Sequence, residues 1–396
     1  MERVELAAAL RSALGTDHEI AKHVAGDCGV FLKDPQWGLA ELDQMRAIVP
    51  PAPAPSGPLG WLMIPSGGTG GRLKFARHDQ FTLESAVRGF CTHFGVGRVN
   101  SVGVLPLHHV SGLVAWTRCA VTGGRYVDWE WKKLEAGIFP SLPRGWNSIS
   151  LVPTQLQRLL INAAAIGWLR QLDAVFVGGG APWDSLLDSA AAAHLPVSVG
   201  YGMTETAAMA CGQRPEEFLA GDRSSGSPLP HIRLSITADG VAVLAGESIF
   251  RGYYPAQAGT VRERSFVTDD FARIDESNRV YLMGRRDAVI ITGGKKVDPT
   301  EVEAVVRAAH LFSDLAVVGL PDSEWGQVVA LCYPATDPQP TDEALAAACA
   351  SVANFKRPRR VIAINAWPRT AQGKVSRATL AELVSSGSGV PPLQRA

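Results

Sequence analysis

Apolar and polar positions along this chain follow two periods, one of strands and one of helices. The clearest stretch is LDAVFVGGGAPWDSLLDSAAAAHLPVSVGYG, residues 172–202. An apolar run over 172–177 predicts a strand, a Gly-Gly-Gly turn ends it, and Pro182 suits the first position of a helix. An alanine-rich helix follows, and PVSVG predicts the next strand. Such β-α-β alternation argues for a mostly parallel sheet covered by helices, with ligands bound at the C-terminal ends of its strands. Upstream, residues 1–48 read as two helical stretches. IVPPAPAPSGPLG (48–60) is a proline-rich, stiff connector.

Near residue 284 the pattern changes. RVYLMGRRDAVIITGG reads as two short strands around a turn, and DPTEVEAVVRAAH opens a helix. Asp298 is its predicted cap, Pro299 its first residue, and Glu301 lies three after the cap. Further strands are predicted at 314–319, 327–333 and 360–364, with helices at 341–353 and 376–384. The expected architecture is therefore α/β. A large N-terminal domain (1–283) has mostly parallel, helix-covered sheets, and a small α+β C-terminal domain covers 290–384. SSGSGVPPLQRA (385–396) reads as a disordered tail.

Composition narrows the function classes. A chain of 396 residues is too long for one core and fits two domains. Lysine plus arginine is 38 and aspartate plus glutamate is 38, so no general attraction to nucleic acid or anionic membrane is expected. The basic run Lys356-Arg357-Pro358-Arg359-Arg360 is short enough to be a solvated loop. The six cysteines form no CxxC pair, which argues against a zinc site and against a disulfide scaffold. MERVELAAALRSALG is charged and lacks the apolar core of a secretory signal. No run of about twenty apolar residues predicts a membrane span. The cytoplasm is the expected location.

IPSGGTGGRLKFARH (64–78) carries the first chemical signal. It has neither the GxxxxGK[ST] ending of a P-loop nor a GxGxxG opening a helix. Ser66, Gly67, Gly68, Thr69, Gly70 and Lys74 remain: hydroxyls, exposed backbone N–H groups and one cation. That set suits the β- and γ-phosphates of a nucleotide, and it also suits a plain turn.

Distant segments decide between those readings. SGGTGGRLK (66–74) resembles the phosphate loop of the adenylate-forming superfamily, which comprises acyl- and aryl-CoA ligases, luciferases and peptide-synthetase adenylation domains. GYGMTET (200–206) resembles its second signature and FVTDDFARID (266–275) its third. GRRDAVIITGGKKVDPTEVE (284–303) resembles the domain junction, and PRTAQGKVSR (368–377) the loop with the catalytic lysine. These motifs stand in family order across nearly all of the chain. LPLHHVSGL (105–113) and SLVPTQLQRLL (150–160) further resemble the o-succinylbenzoate–CoA ligase branch, which serves menaquinone and phylloquinone synthesis.

The resemblance implies an ATP-dependent acid–CoA ligase that uses Mg2+, with an aromatic carboxylate, ATP and coenzyme A as small-molecule partners. A carboxylate attacks the α-phosphate and releases pyrophosphate; the thiol of coenzyme A then displaces AMP. Lys374, a surface lysine by its local sequence, becomes the catalytic cation between carboxylate and α-phosphate. Glu205, otherwise a loop acid, becomes the magnesium ligand. Thr204 meets phosphate, and Tyr201 with Gly202 lies at the adenine. Gly179, Gly180 and Ala181 line adenine and ribose. Asp270 accepts from the ribose hydroxyls, and Arg285 assists near the α-phosphate. Asp287 marks a hinge (284–289) about which the small domain swings, and Gly293 and Gly294 border the pantetheine tunnel. His109, Ser111, Thr154 and Gln155 face the acyl pocket.

Departures from the family pattern are Leu73 for a usual proline and His108 for a usual aromatic. Thr268-Asp269-Asp270 stands for Thr-Gly-Asp, so Asp269 stays open as a substitute for Asp270. The segment before the phosphate loop is also shorter than in most of the superfamily. Another acyl- or aryl-CoA ligase, or an adenylation enzyme loading a carrier protein, are the alternatives. Oligomeric state stays open, a homo-oligomer included.

Overall fold

Ala174–Val177 has all four residues buried, the mark of a strand covered on both faces. It is β8 of a seven-stranded sheet in the computed structural model. That model describes residues 10, 19–21, 30–35, 37–48, 61–66, 73–257, 260–261, 263–369 and 375–386. The order across the sheet is β11-β10-β9-β8-β7-β5-β6. These strands are β5 (Asn100–Gly103), β6 (Tyr126–Asp128), β7 (Asn147–Leu151), β8, β9 (Val197–Met203), β10 (Ala208–Gly212) and β11 (Ser227–Pro228). β6, β5, β7, β8 and β9 run parallel, whereas β10 and β11 turn back antiparallel. The expected helix-covered parallel sheet is therefore present, with an antiparallel edge.

Helix Gln80–Phe94 covers this sheet. Asp79 caps it by accepting the Thr82 N–H, and Gly95 closes it at φ +66°, where only glycine is unstrained. Its Phe90 is fully buried among Val99, Cys119, Ala174 and Phe176, a burial worth about 1.5–3 kcal/mol. Pro182 lies two residues before helix Asp184–Ala192 rather than at its first position.

The N-terminal segment corrects the sequence reading. Leu39–Ile48 is helical, and Leu10 also stands in helix, but Glu19–Ala21 and Val30–Leu32 are strands β1 and β2. They form a sheet in the order β1-β2-β3-β4-β14 with β3 (Leu62–Ser66), β4 (Lys74–His78) and β14 (Tyr253–Tyr254). Pairing to β3, far along the chain, overrides local helix propensity in so short a run. A third, four-stranded sheet joins β12 (Ile232–Ile236), β13 (Val241–Gly246), β15 (Ser265–Ile274) and β16 (Val280–Arg285). Of the connector read over 48–60, Ile48 ends helix Leu39–Ile48 and 49–60 lie outside the described residues. Of the tail read over 385–396, 385–386 close helix Arg377–Ser386 instead, and the rest lies outside the described residues.

The chain divides into two compact units. The second takes Met283 onward together with Trp183–Leu186 and Asp269–Phe271. Its sheet runs β18-β17-β20-β19, with β21 (Arg360–Ile364) beside β20. The others are β17 (Ile290–Thr292), β18 (Lys295–Val297), β19 (Ala316–Asp322) and β20 (Gly326–Pro334). Alternate residues feed two cores, as strand geometry requires. Val317, Val329 and Leu331 pack with Val302 and Val306 of helix Pro299–Ala308. Val318, Val328 and Ala330 pack with Leu380 of helix Arg377–Ser386. Asp298 caps Pro299–Ala308 by accepting the Thr300 N–H. Among the described residues, no helix is long and apolar enough to cross a membrane.

Candidate active site

Ser66 and Lys74 are register partners at the open ends of β3 and β4, so the glycine loop between them is the connection of an antiparallel pair. Gly67, Gly68, Thr69 and Gly70 lie outside the described residues. β9, meanwhile, ends in a single helical turn, Thr204–Thr206, at the C-terminal edge of the parallel sheet. Gly202 is required just before it, because a Cβ there would sit 1.8 Å from the Ala208 carbonyl oxygen. Ala207 and Ala208 follow with φ of +53° and +73°. Two adjacent left-handed alanines cost conformational energy, which such a site stores when the surroundings over-determine the turn.

That turn delivers Glu205, 6% exposed. Ser66 Oγ donates to its Oε1 at 2.6 Å, and the Tyr253 hydroxyl donates to the same oxygen at 2.7 Å. Lys74 Nζ lies 3.9 Å from the centre of the Tyr253 ring. Among the described residues, Oε2 accepts no hydrogen bond. A buried carboxylate held by neutral donors is expensive to keep charged, and its second oxygen is the natural seat of a cation. Three residues picked out by sequence (Ser66, Lys74 and Glu205) thus meet, with Tyr253 as the unforeseen link.

The backbone of the turn is fixed from behind. Phe250 N–H donates to the Glu205 carbonyl at 2.9 Å. His78 Nε2 meets the Thr204 carbonyl at 2.7 Å, and His78 Nδ1 meets Thr82 Oγ1 at 3.0 Å. A carbonyl can only accept, so Nε2 carries the proton and the ring is neutral. Burial pushes the His78 pKa down to about 4, outweighing the neighbouring Asp79 and Glu205 charges. Asp79 in turn pairs with Arg251 at 2.8 Å.

On β15 the burial alternates, placing Thr268, Asp270 and Ala272 on the inward face. Asp270, 7% exposed, accepts from Arg285 Nη1 at 3.0 Å within the second unit. Asp269 takes the outward face and pairs with half-exposed Arg286 at 2.8 Å. Of the two aspartates left open by sequence, Asp270 is the one aimed inward beside Arg285.

Other candidates fall elsewhere. Tyr201 is 6% exposed inside the core with Ala210, Cys211 and Ile232, so an adenine would meet only its rim. Gly179 (φ +79°), Gly180 and Ala181 follow β8 at the same sheet edge as Glu205. Gln155 Oε1 accepts the Val152 N–H at 3.0 Å at the start of helix Pro153–Leu160. Thr154 and Ser111 are half-buried on two different helices. His109 precedes helix Val110–Thr122 and lies with His108 against Asp34.

In the second unit, Gly293 and Gly294 form the β17–β18 turn at φ +54° and +75°, the backbone of a tight hairpin. A Cβ on Gly293 would also strike the Trp325 ring at 2.7 Å. Asp287 lies in the turn Arg286–Ala288 after β16. Lys374 lies outside the described residues. Sequence reasoning missed Tyr253 and His78, which sit in short strands with no local pattern that marks them.

Residues 3–254 match the AMP-binding enzyme family, and residues 301–374 match the AMP-binding enzyme C-terminal domain. The chain is 31% identical over 286 residues to a 2-succinylbenzoate–CoA ligase of Listeria monocytogenes, covering 70% of this chain and 60% of that protein. It is 32% identical over 334 residues to a probable 2-succinylbenzoate–CoA ligase of Mycobacterium tuberculosis, covering 81% and 83%. The chain thus spans less than two thirds of the Listeria relative's length. Its fold is similar to that of E. coli MenE with bound OSB-AMS (TM-score 0.72, 24% identity, 89% of this chain and 81% of that one). It is also similar to o-succinylbenzoate CoA synthetase of Bacillus subtilis in complex with OSB-AMP (TM-score 0.69, 23% identity, 81% and 68%).

Proposed function

Because this chain belongs to the AMP-binding enzyme family, we propose that it joins a carboxylic acid to coenzyme A at the expense of ATP, with o-succinylbenzoate as the acid. In the first step a carboxylate oxygen bonds to the α-phosphorus, the bond to the β-phosphate oxygen breaks, and pyrophosphate leaves. In the second step the thiolate sulfur bonds to the acyl carbon and AMP leaves with the bonding electrons. No general base is needed for the first step, since a carboxylate is already ionised at neutral pH. What the protein must supply is alignment of two anions and neutralisation of their charge.

The observation that carries this reading is Glu205, buried and held on one oxygen by Ser66 and Tyr253. Its other oxygen suits Mg2+, which binds through one carboxylate plus nucleotide phosphates and shields their charge. Ser66 and Lys74 are register partners beside that carboxylate, and the family resemblance assigns the phosphates to Gly67, Gly68, Thr69 and Gly70. Thr204 adds a hydroxyl at the same turn. Asp270 and Arg285 are spaced to accept ribose hydroxyls and to face the α-phosphate. Lys374 is the cation for the adenylation step alone, which suits delivery on a loop of the second unit about the Asp287 hinge. The acid itself is supported by the names of the two relatives.

Pyrophosphate exchange into ATP across a panel of acids tests the proposal. Exchange with o-succinylbenzoate alone is expected. Exchange with many simple benzoates or fatty acids would replace the substrate, and product release that ignores coenzyme A would replace the acceptor with a carrier protein. Exchange with no acid would end the ligase reading. Lys374→Ala should abolish exchange while sparing thioester formation from supplied acyl-adenylate; equal loss of both steps would remove its role.

A further inference from the structure

Outside the Glu205 cluster, three ligating side chains converge in the larger unit. Asp34 follows β2, and His108 and His109 immediately precede helix Val110–Thr122. Their exposures are 7%, 4% and 9%. His108 Nε2 lies 3.4 Å from Asp34 Oδ1, and His109 Nε2 lies 3.7 Å from Asp34 Oδ2. The two imidazole rings are tilted against each other with centroids 4.3 Å apart. One donor atom from each residue falls within 4.8 Å of the other two.

These separations carry chemical meaning. Metal–ligand bonds of about 2.0–2.2 Å set the donor atoms of a tetrahedral site about 3.3–3.6 Å apart. The two imidazole–carboxylate distances, 3.4 and 3.7 Å, are close to that, and the full set, within 4.8 Å, would draw in on binding an ion. A direct nitrogen–oxygen hydrogen bond is shorter, about 2.7–3.2 Å. The surroundings reinforce the point: Leu32, Val30, Val110 and Leu113 belong to one buried apolar cluster beside these residues. Two imidazoles with one carboxylate make a donor set for a first-row divalent ion.

We propose that Asp34, His108 and His109 form a second metal site, distinct from the magnesium site proposed at Glu205, that takes a divalent transition metal such as Zn2+. The three side chains leave one coordination position for water. The ion pins the segment after β2 to the start of helix Val110–Thr122, tying the N-terminal sheet to the helical layer of the same unit. Magnesium, which prefers oxygen donors, does not compete for it.

The test uses the full chain without a histidine tag, stripped with chelator and titrated with Zn2+ or Co2+ in excess Mg2+. One equivalent is expected to bind, to raise the unfolding temperature, and with Co2+ to give visible d–d bands. Asp34→Asn and His108→Gln should each weaken binding at least tenfold. No binding by the unmodified chain, or unchanged binding in both variants, overturns the site. Should either variant fail to fold, X-ray absorption of the zinc-loaded unmodified chain decides: two imidazole shells support the proposal, and a shell without imidazole overturns it.

Discussion

Glu205 in the larger unit and Asp314 in the smaller are both carboxylates withdrawn from water, at 6% and 1% exposure, yet they are treated oppositely. Asp314 is fully engaged. Arg307 and the Leu315 N–H donate to Oδ1, while Trp367 Nε1 and Arg369 donate to Oδ2. Among the described residues, Glu205 accepts from two hydroxyls, both on one oxygen. A carboxylate whose charge is matched within the fold holds structure together. One left under-neutralised costs stability and keeps its charge for something not part of the chain.

Breaking the matched acid should have the largest effect. Asp314→Ala leaves two partly buried guanidiniums without their carboxylate, and we expect a loss of about 3–5 kcal/mol, read by denaturant unfolding. A change within about 1 kcal/mol would remove the contrast. Glu205→Gln sharpens it from the other side. Pyrophosphate exchange should fall about 10²–10³-fold, the scale of one lost electrostatic contact to a transition state, while unfolding stability holds or rises. A variant that unfolds but keeps its specific activity would reverse the assignment.

The turn bearing Glu205 adds a pH test. His78 is neutral in the fold with its pKa lowered to about 4 from 6.5. The unfolded chain therefore takes a proton near pH 6.5 that the folded chain refuses until about 4. Its contribution to stability is full above pH 6.5 and is lost as pH falls towards 4, by about 3 kcal/mol. His231, lowered likewise to about 4 by burial, acts in the same direction. His78→Gln should flatten the slope between those values by about half; an unchanged slope would show that His78 is not buried neutral. The smallest change is Tyr253→Phe. It removes one donor to a charged acceptor, worth about 1.5–3 kcal/mol, and should appear as a raised KM for Mg-ATP with the fold intact.

Legibility in the sequence followed the range of the contacts. The β-α-β unit around 172–202 and the Asp298–Pro299 helix start were readable because strand and cap signals lie within a few residues. Glu205 was readable as a motif residue, and so was the choice offered between Asp269 and Asp270. The strands at 19–21 and 30–32 were not, since a three-residue run takes its conformation from a partner strand rather than from its own composition. The helix-start contact of Gln155 was not readable either, because a side chain that closes its own helix start looks like any other polar residue in the sequence.

Taken alone, the sequence determined the family and which short segments combine glycine, hydroxyl and charge. Tertiary structure decided the rest. Ser66 and Glu205 stand 139 positions apart and Tyr253 another 48 beyond, so their meeting on one oxygen depends on strand register across two sheets. The same holds for Asp34 beside His108 and His109. Local pattern sets what a segment becomes, but which side chains share a few ångströms is set by how distant elements align, and a one-residue slip of β3 or β14 would turn Ser66 or Tyr253 to the opposite face.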